Sequence, residues 1–133
     1  MARLVETVLY YTPDGPESGR HTALLKSVLV RMGIRIRNVR PDQALETVGY
    51  LAGLPGFLAA GDTEEEIPVI PSEMMVFRNF SSGRLDQLLL NLRRAGVPKI
   101  SLKAVLTEHN SKWTFYKLYE ELKEEHRKAE ENA

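Results

Sequence analysis

Three short loops hold the small polar side chains that stand where apolar runs end. They are Thr12-Pro13-Asp14-Gly15, then Asn79-Phe80-Ser81-Ser82-Gly83 with Arg84 behind it, and Thr107-Glu108-His109-Asn110-Ser111. Ser81, Ser82 and Gly83 precede a helical run, so their backbone N–H groups would lie free at a helix N-terminus, where the dipole favours an anion. Arg84 adds a planar guanidinium that can grip a carboxylate or phosphate through two parallel hydrogen bonds. The plainer reading is capping: Asp14, Ser82 and Asn110 are each ordinary helix caps worth about 1 kcal/mol. Neither a Walker pattern nor a Gly-x-Gly-x-x-Gly occurs in the chain, so anion binding here is argued from position.

Acid–base chemistry has fewer candidates. Asp14, His21 and His109 are the side chains that a small hydrolase or transferase could use as acid or base. Glu17 and His21 stand four apart and face each other if the segment is helical. A metal centre wants three or four converging ligands, which the spacing does not supply, and neither a metal nor a cofactor is expected. Thr107 matches the Ser or Thr that ends the fourth strand of phosphorylation-receiver domains. Asn79 stands where their aspartate would, and an amide cannot form the acyl phosphate. Arg31, Arg35, Arg37 and Arg40 form a basic cluster with no interleaved aromatic residues, so it reads as a solvated edge and not as a stacking platform for nucleic acid. Tyr10, Tyr11, Trp113 and Tyr116 read as core or half-buried aromatics, and His126 as a packing or surface residue near the chain's last helix end.

The elements that must position these residues can be read from periodicity. Val5 to Tyr11 is β-branched and aromatic, the pattern of a strand. Leu24, Leu25, Val28, Leu29 and Met32 then recur at helical spacing until Gly33. Ile34 to Val39 alternates, with Arg35 and Arg37 on one side. Pro41 and Asp42 open a second helix carrying Ala44, Leu45, Val48, Leu51 and Ala52 before Gly53 and Pro55 close it. Residues 53–72 show no readable pattern. Met74 to Phe77 is an almost unbroken apolar run, as in a strand covered on both faces. Leu85, Leu88, Leu89, Leu92 and Ala95 form one helix face that Gly96 ends. Ile100 to Leu106 alternates like an outer strand, and Asn110 or Ser111 caps a last helix with Phe115, Leu118, Tyr119 and Leu122, expected to fray into the charged stretch 124–133.

Four strand-then-helix units predict an α/β fold in three layers around a parallel four-stranded sheet of order 2-1-3-4, the flavodoxin-like winding. In such a sheet a ligand sits at the carboxyl ends of the strands, where the winding reverses between strands 1 and 3. The expected ligand-binding set is therefore Thr12, Asp14, Asn79, Ser81, Ser82, Gly83, Arg84, Thr107 and His109.

Composition sets the frame. A chain of 133 residues, 43% hydrophobic and 27% charged, has the balance of one globular domain spanning residues 1–133. Its 18 basic and 18 acidic side chains cancel, so no global field draws it to nucleic acid or an anionic membrane. Without cysteine, thiol catalysis, disulfides and Cys-ligated metal sites are excluded. No stretch reaches the ~20 apolar residues of a membrane span, no leader is evident, and a cytoplasmic location is expected.

The stretch from Glu73-Met74-Met75-Val76-Phe77 through Arg84-Leu85-Asp86 and Gly96-Val97 to Lys103-Ala104-Val105-Leu106-Thr107, with Asn110 and Trp113, resembles a family of short bacterial proteins known only as a domain of unknown function. The likeness runs from roughly Glu73 to His126. It implies a small α/β domain and carries no substrate, cofactor or catalytic residue with it. The expected role is non-catalytic binding of a small anion or a protein partner, with a homodimer through the last helix or an edge strand as a further possibility.

Overall fold

The computed structural model describes residues 5–13, 20–61 and 65–131. Its strands are β1 (Thr7–Tyr11), β2 (Arg35–Val39), β3 (Met74–Arg78) and β4 (Leu102–Val105), and its helices are α1 (Arg20–Arg31), α2 (Val48–Leu51), α3 (Ser82–Arg94) and α4 (Phe115–Glu131). Short 3-10 turns stand at Pro41–Gln43 and Asn110–Lys112. Gly33 (φ +70°) and Gly96 (φ +90°) end α1 and α3 in the left-handed conformation. That conformation returns the Ile34 N–H to the Leu29 carbonyl at 2.9 Å and the Val97 N–H to the Leu92 carbonyl at 3.0 Å, a pattern that glycine adopts without a Cβ penalty.

The strands form one sheet in the order β2-β1-β3-β4. β1 is buried throughout and β3 nearly so, which is why they occupy the centre. Side chains alternate across the sheet. Leu9, Tyr11, Met74 and Val76 meet α2 and α4 in one core, while Val8, Tyr10, Met75 and Phe77 meet α1 and α3 in the other. The three layers follow from that alternation.

The expected all-parallel sheet is corrected: β1 and β3 are antiparallel, with Thr7 opposite Arg78 and Tyr11 opposite Met74, whereas β1–β2 and β3–β4 are parallel. The reason lies in the connection. A parallel return needs a crossover of a dozen or more residues running back along the sheet, and the helix after β2 is one four-residue turn. The chain leaves β2 at Val39, beside Tyr11, and enters β3 at Met74, also beside Tyr11. It comes back at the end it left from, so it must run the other way. The second helix is short because its carbonyls are used elsewhere: Ala44 and Glu46 accept the N–H groups of Tyr116 and Phe115, each at 2.9 Å, and Thr47 pairs with Thr114 as an isolated bridge. α4 continues as a helix past Glu124 to Glu131, fully solvated there, with Arg127 bridging Glu124 and Glu131. No helix among the described residues is long and apolar enough to cross a membrane.

Candidate functional site

Reversal of β3 divides the expected site between two ends of the sheet. Asn79, Ser81, Ser82, Gly83 and Arg84 follow β3, and Thr107 and His109 follow the parallel β4, so these seven share one end. Thr12 follows β1 at the opposite end, about 17 Å away along a five-residue strand. Asp14, like Glu17, lies outside the described residues.

At the first end the polar groups satisfy one another. Asn79 takes a positive φ of +67°, which an Asn tolerates, and its side-chain amide donates to the Val5 carbonyl at 2.9 Å. Ser81 caps α3 by accepting the Arg84 N–H at 3.2 Å. In the Thr107–Ser111 loop, Asn110 Oδ1 accepts the Thr107 N–H at 2.8 Å and Thr107 Oγ1 accepts the Asn110 N–H at 3.0 Å. His109 packs edge-on against Trp113. These are turn and cap bonds, but the caps are not the expected ones: Ser81 rather than Ser82 caps α3, and Thr114, whose Oγ1 accepts the Lys117 N–H at 3.1 Å, caps α4 in place of Asn110 or Ser111.

Arg84 is the fork that the sequence advertises, but it already holds a carboxylate. Its Nε and Nη2 donate to Glu6 at 2.9 and 2.7 Å, and Nη2 also reaches the Met32 carbonyl at 3.0 Å. The bond to Glu6 raises the guanidinium above its ordinary range, against a smaller opposing effect of desolvation. Glu6 leads into β1, Met32 closes α1 and Arg84 opens α3, so the clamp ties three elements together. Arg84→Ala is accordingly expected to lower the melting temperature by several degrees, because the bonds from Arg84 to Glu6 and to the Met32 carbonyl are lost together. Thermal unfolding followed by circular dichroism checks this, and an unchanged midpoint would show that the clamp contributes nothing.

At the opposite end, two consecutive tyrosines leave β1 on opposite faces. Tyr11 donates its hydroxyl to the Ile70 carbonyl at 2.8 Å, and Tyr10 donates its own to Glu73 Oε2. Thr22 Oγ1 lies 3.4 Å from the Tyr10 oxygen, and His21 Nε2 lies 2.8 Å from the same Glu73 oxygen. Burial first, and then the bond to Glu73, push the Tyr10 phenol well above its usual range, so it remains a donor. Together the two hydroxyls pin the segment that enters β3. His21 thus faces Glu73, 52 positions away, in an interaction no local spacing foretells.

Glu73 also lines a crevice of about 400 Å³ between the Lys99–Leu102 stretch and α4. Tyr119, Lys123 and His126 enter it from one helix face, being spaced i, i+4, i+7. The Lys123 ammonium stands 5.8 Å from the Tyr119 ring centroid, and His126 Nε2 lies 3.1 Å from Glu130. Among the described residues neither Lys99 nor Lys123 forms a salt bridge, although Lys123 acts electrostatically on the adjacent Glu124 carboxylate. Lys99 and Lys123 thus bring two ammonium groups to a crevice whose lining carboxylate, Glu73, already accepts from Tyr10 and His21 through Oε2. Sequence reasoning missed Glu73, Lys99 and Lys123; the signal available was the helical spacing of Tyr119, Lys123 and His126. No group of three His, Asp or Glu that could hold a metal ion converges among the described residues.

Residues 73–128 match the family model described as a domain of unknown function, DUF3783, in agreement with the likeness read from the sequence. The match takes in β3, α3, β4 and most of α4, hence Glu73, Lys99, Lys123 and His126; Tyr10, His21 and Thr22 stand before it. No curated protein and no solved structure matches the chain.

Proposed function

We propose that this chain is a non-catalytic binding domain that takes a small anion, a carboxylate or a phosphate, in the crevice where β1 finishes and β3 and β4 begin. The observation that carries this is that Lys99 and Lys123 line one crevice and, among the described residues, form no salt bridge, while its lining carboxylate, Glu73, is engaged by Tyr10 and His21. An anion seated there accepts charge-assisted hydrogen bonds from both, and a volume of about 400 Å³ falls in the range of small-molecule sites. The apolar floor, Ile100, Leu102 and Tyr119, reduces the solvent screening of those bonds.

Titration with inorganic phosphate and with malonate at low ionic strength, followed by NMR shifts of the Lys99–Leu102 and Tyr119–His126 amides, tests the reading. Saturable shifts are expected in the parent. The Lys99→Ala, Lys123→Ala double variant should bind about tenfold more weakly or worse, since each charged hydrogen bond contributes about 1.5–3 kcal/mol. Both side chains are exposed, so the melting temperature should hold. Equal binding by parent and double variant, or no saturation in the parent by about 10 mM, overturns the proposal.

The His21–Glu73 contact favours a second reading, a small hydrolase or transferase. A carboxylate behind an imidazole orients it as a base, and of Asp14, His21 and His109 only His21 is described at this rim. Release of p-nitrophenol from its phosphate or acetate ester, abolished in His21→Gln, would establish that reading in place of simple binding.

A further inference from the structure

β4 is an edge strand with one face left open. It pairs only with β3 among the described residues. Leu102 and Ala104 turn toward α4 and its core, whereas Lys103 and Val105 stand beside Met75 and Phe77 on the α1–α3 side. α3 does not roof that side: Val105 remains 51% exposed. Between α3 and β4 runs a groove of about 640 Å³ floored by Met75, Leu89, Leu92, Val97 and Ile100. Its charged lining is Arg93, Lys99 and Lys103 against Asp86 alone.

We propose that this edge receives an extended peptide segment of another protein, added as a fifth strand beside β4, with apolar side chains alternating with carboxylates. Strand addition uses the outward backbone groups of β4 at Lys103 and the Val105 N–H for hydrogen bonds, the Val105 carbonyl being held by the Asn110 amide at 2.9 Å, and the period of two sends every second side chain into the groove. Apolar residues fill the floor while carboxylates meet Arg93 and Lys99. Lys103 is partly buried, its ammonium donates to the Ile100 carbonyl, and burial, with Lys99 second, holds it below the ordinary lysine range. A nearby carboxylate relieves that desolvation cost.

Charge also selects against the obvious alternative, a second copy of this chain. An isologous contact places the same patch on both sides, so Arg93, Lys99 and Lys103 would approach their own duplicates. A lysine on an edge strand guards against such pairing while leaving the edge open to an acidic segment. The other edge, β2, has the arginines, and the space beside it at Arg37 and Asn38 is smaller, about 340 Å³.

The test uses labelled synthetic peptides about seven residues long in which Val and Leu alternate with Glu, with Lys or with Ser. Fluorescence anisotropy should show the Glu series binding about tenfold or more tighter than the Lys series. Arg93→Glu, a change at an exposed position outside the crevice, should erase or reverse that order and leave phosphate titration of the crevice unchanged. Hydrogen exchange should slow at Leu102–Val105 when the Glu peptide is present. Failure of the Glu series to bind, equal binding of all three series, or protection elsewhere than β4 and α3 overturns the proposal. So does protection of β4 that grows with protein concentration without peptide, the signature of a second copy.

Discussion

Phe115→Ala is expected to cost about 3–5 kcal/mol of stability, or roughly 10–20 °C in Tm for a chain of this length. Phe115 is fully buried at the first turn of α4, with its ring centroid 5.7 Å from that of Tyr11 on the central strand. It joins Val48, Leu118 and Met74 in the core between the sheet and the α2–α4 layer. Its N–H bonds to Glu46, so the same residue anchors both the side chain and the backbone at the place where α4 starts. The cavity left by an alanine cannot be closed by α4 sliding inward while Phe115 and Tyr116 keep their backbone bonds to Glu46 and Ala44. Because α4 carries Tyr119, Lys123 and His126, loosening it should also weaken phosphate binding in the crevice. Urea unfolding measures the loss directly; a cost under about 1.5 kcal/mol would mean that α4 is held mainly by something other than this core.

How much of this was legible in the sequence depends on the kind of information each feature needs. Apolar runs in β1 and β3 against alternation in β2 and β4 identify centre and edge, because burial on one face or two is written in consecutive residues. Strand direction is not written there: Met74–Phe77 is equally apolar read either way. Direction is set by the connection, and residues 53–72, which show no periodicity, bring the chain back to the end it left. The ligand site inferred at a switch point depended on that direction, which is why Thr12 parts from Asn79 and Arg84.

Side-chain chemistry shows the same division. Asn110 or Ser111 reads as the cap of the last helix, but α4 starts at Phe115 and Thr114 caps it, its Oγ1 accepting the Lys117 N–H at 3.1 Å; Asn110 instead closes its own loop, accepting the Thr107 N–H three residues back. Arg84 has the right shape to grip a carboxylate and does so, but the carboxylate is that of Glu6, 78 positions earlier. Tyr10 and Tyr11 read as core or half-buried aromatics and are 1% and 2% exposed; of the partners of their hydroxyls, Ile70 lies in the stretch whose course could not be read and Glu73 directly follows it. Local patterns thus disclose which groups are suited to a task. Pairing over long separations decides which partner they meet.

Tyr10→Phe is expected to lower stability near neutral pH by about 1.5–3 kcal/mol, the range for a hydrogen bond to a charged group. The ring still fits its place between α1 and β3, so the loss is that of the hydroxyl; among the described residues Glu73 keeps His21, and Thr22 loses the phenol oxygen. The same hydroxyl gives a pH signature. In the folded chain burial and Glu73 hold the Tyr10 proton beyond the ordinary range, whereas in the unfolded chain the phenol ionises near pH 10. Above about pH 10 the folded state therefore binds more protons than the unfolded one, and stability falls with rising pH by up to about 1.4 kcal/mol per unit. Lys103 acts with the opposite sign: its lowered value lets the folded chain release a proton first, so its contribution rises with pH until the unfolded lysine also titrates near 10.4. Lys103 and the other tyrosines are common to parent and variant, and the difference between the two isolates Tyr10. Urea unfolding from about pH 8 to 12 should show a constant gap up to about pH 10 that narrows beyond it. Curves that stay parallel to the alkaline limit would mean that the Tyr10 hydroxyl is as free to ionise in the folded chain as in the unfolded one, and that the Tyr10–Glu73 bond does not hold the entry to β3.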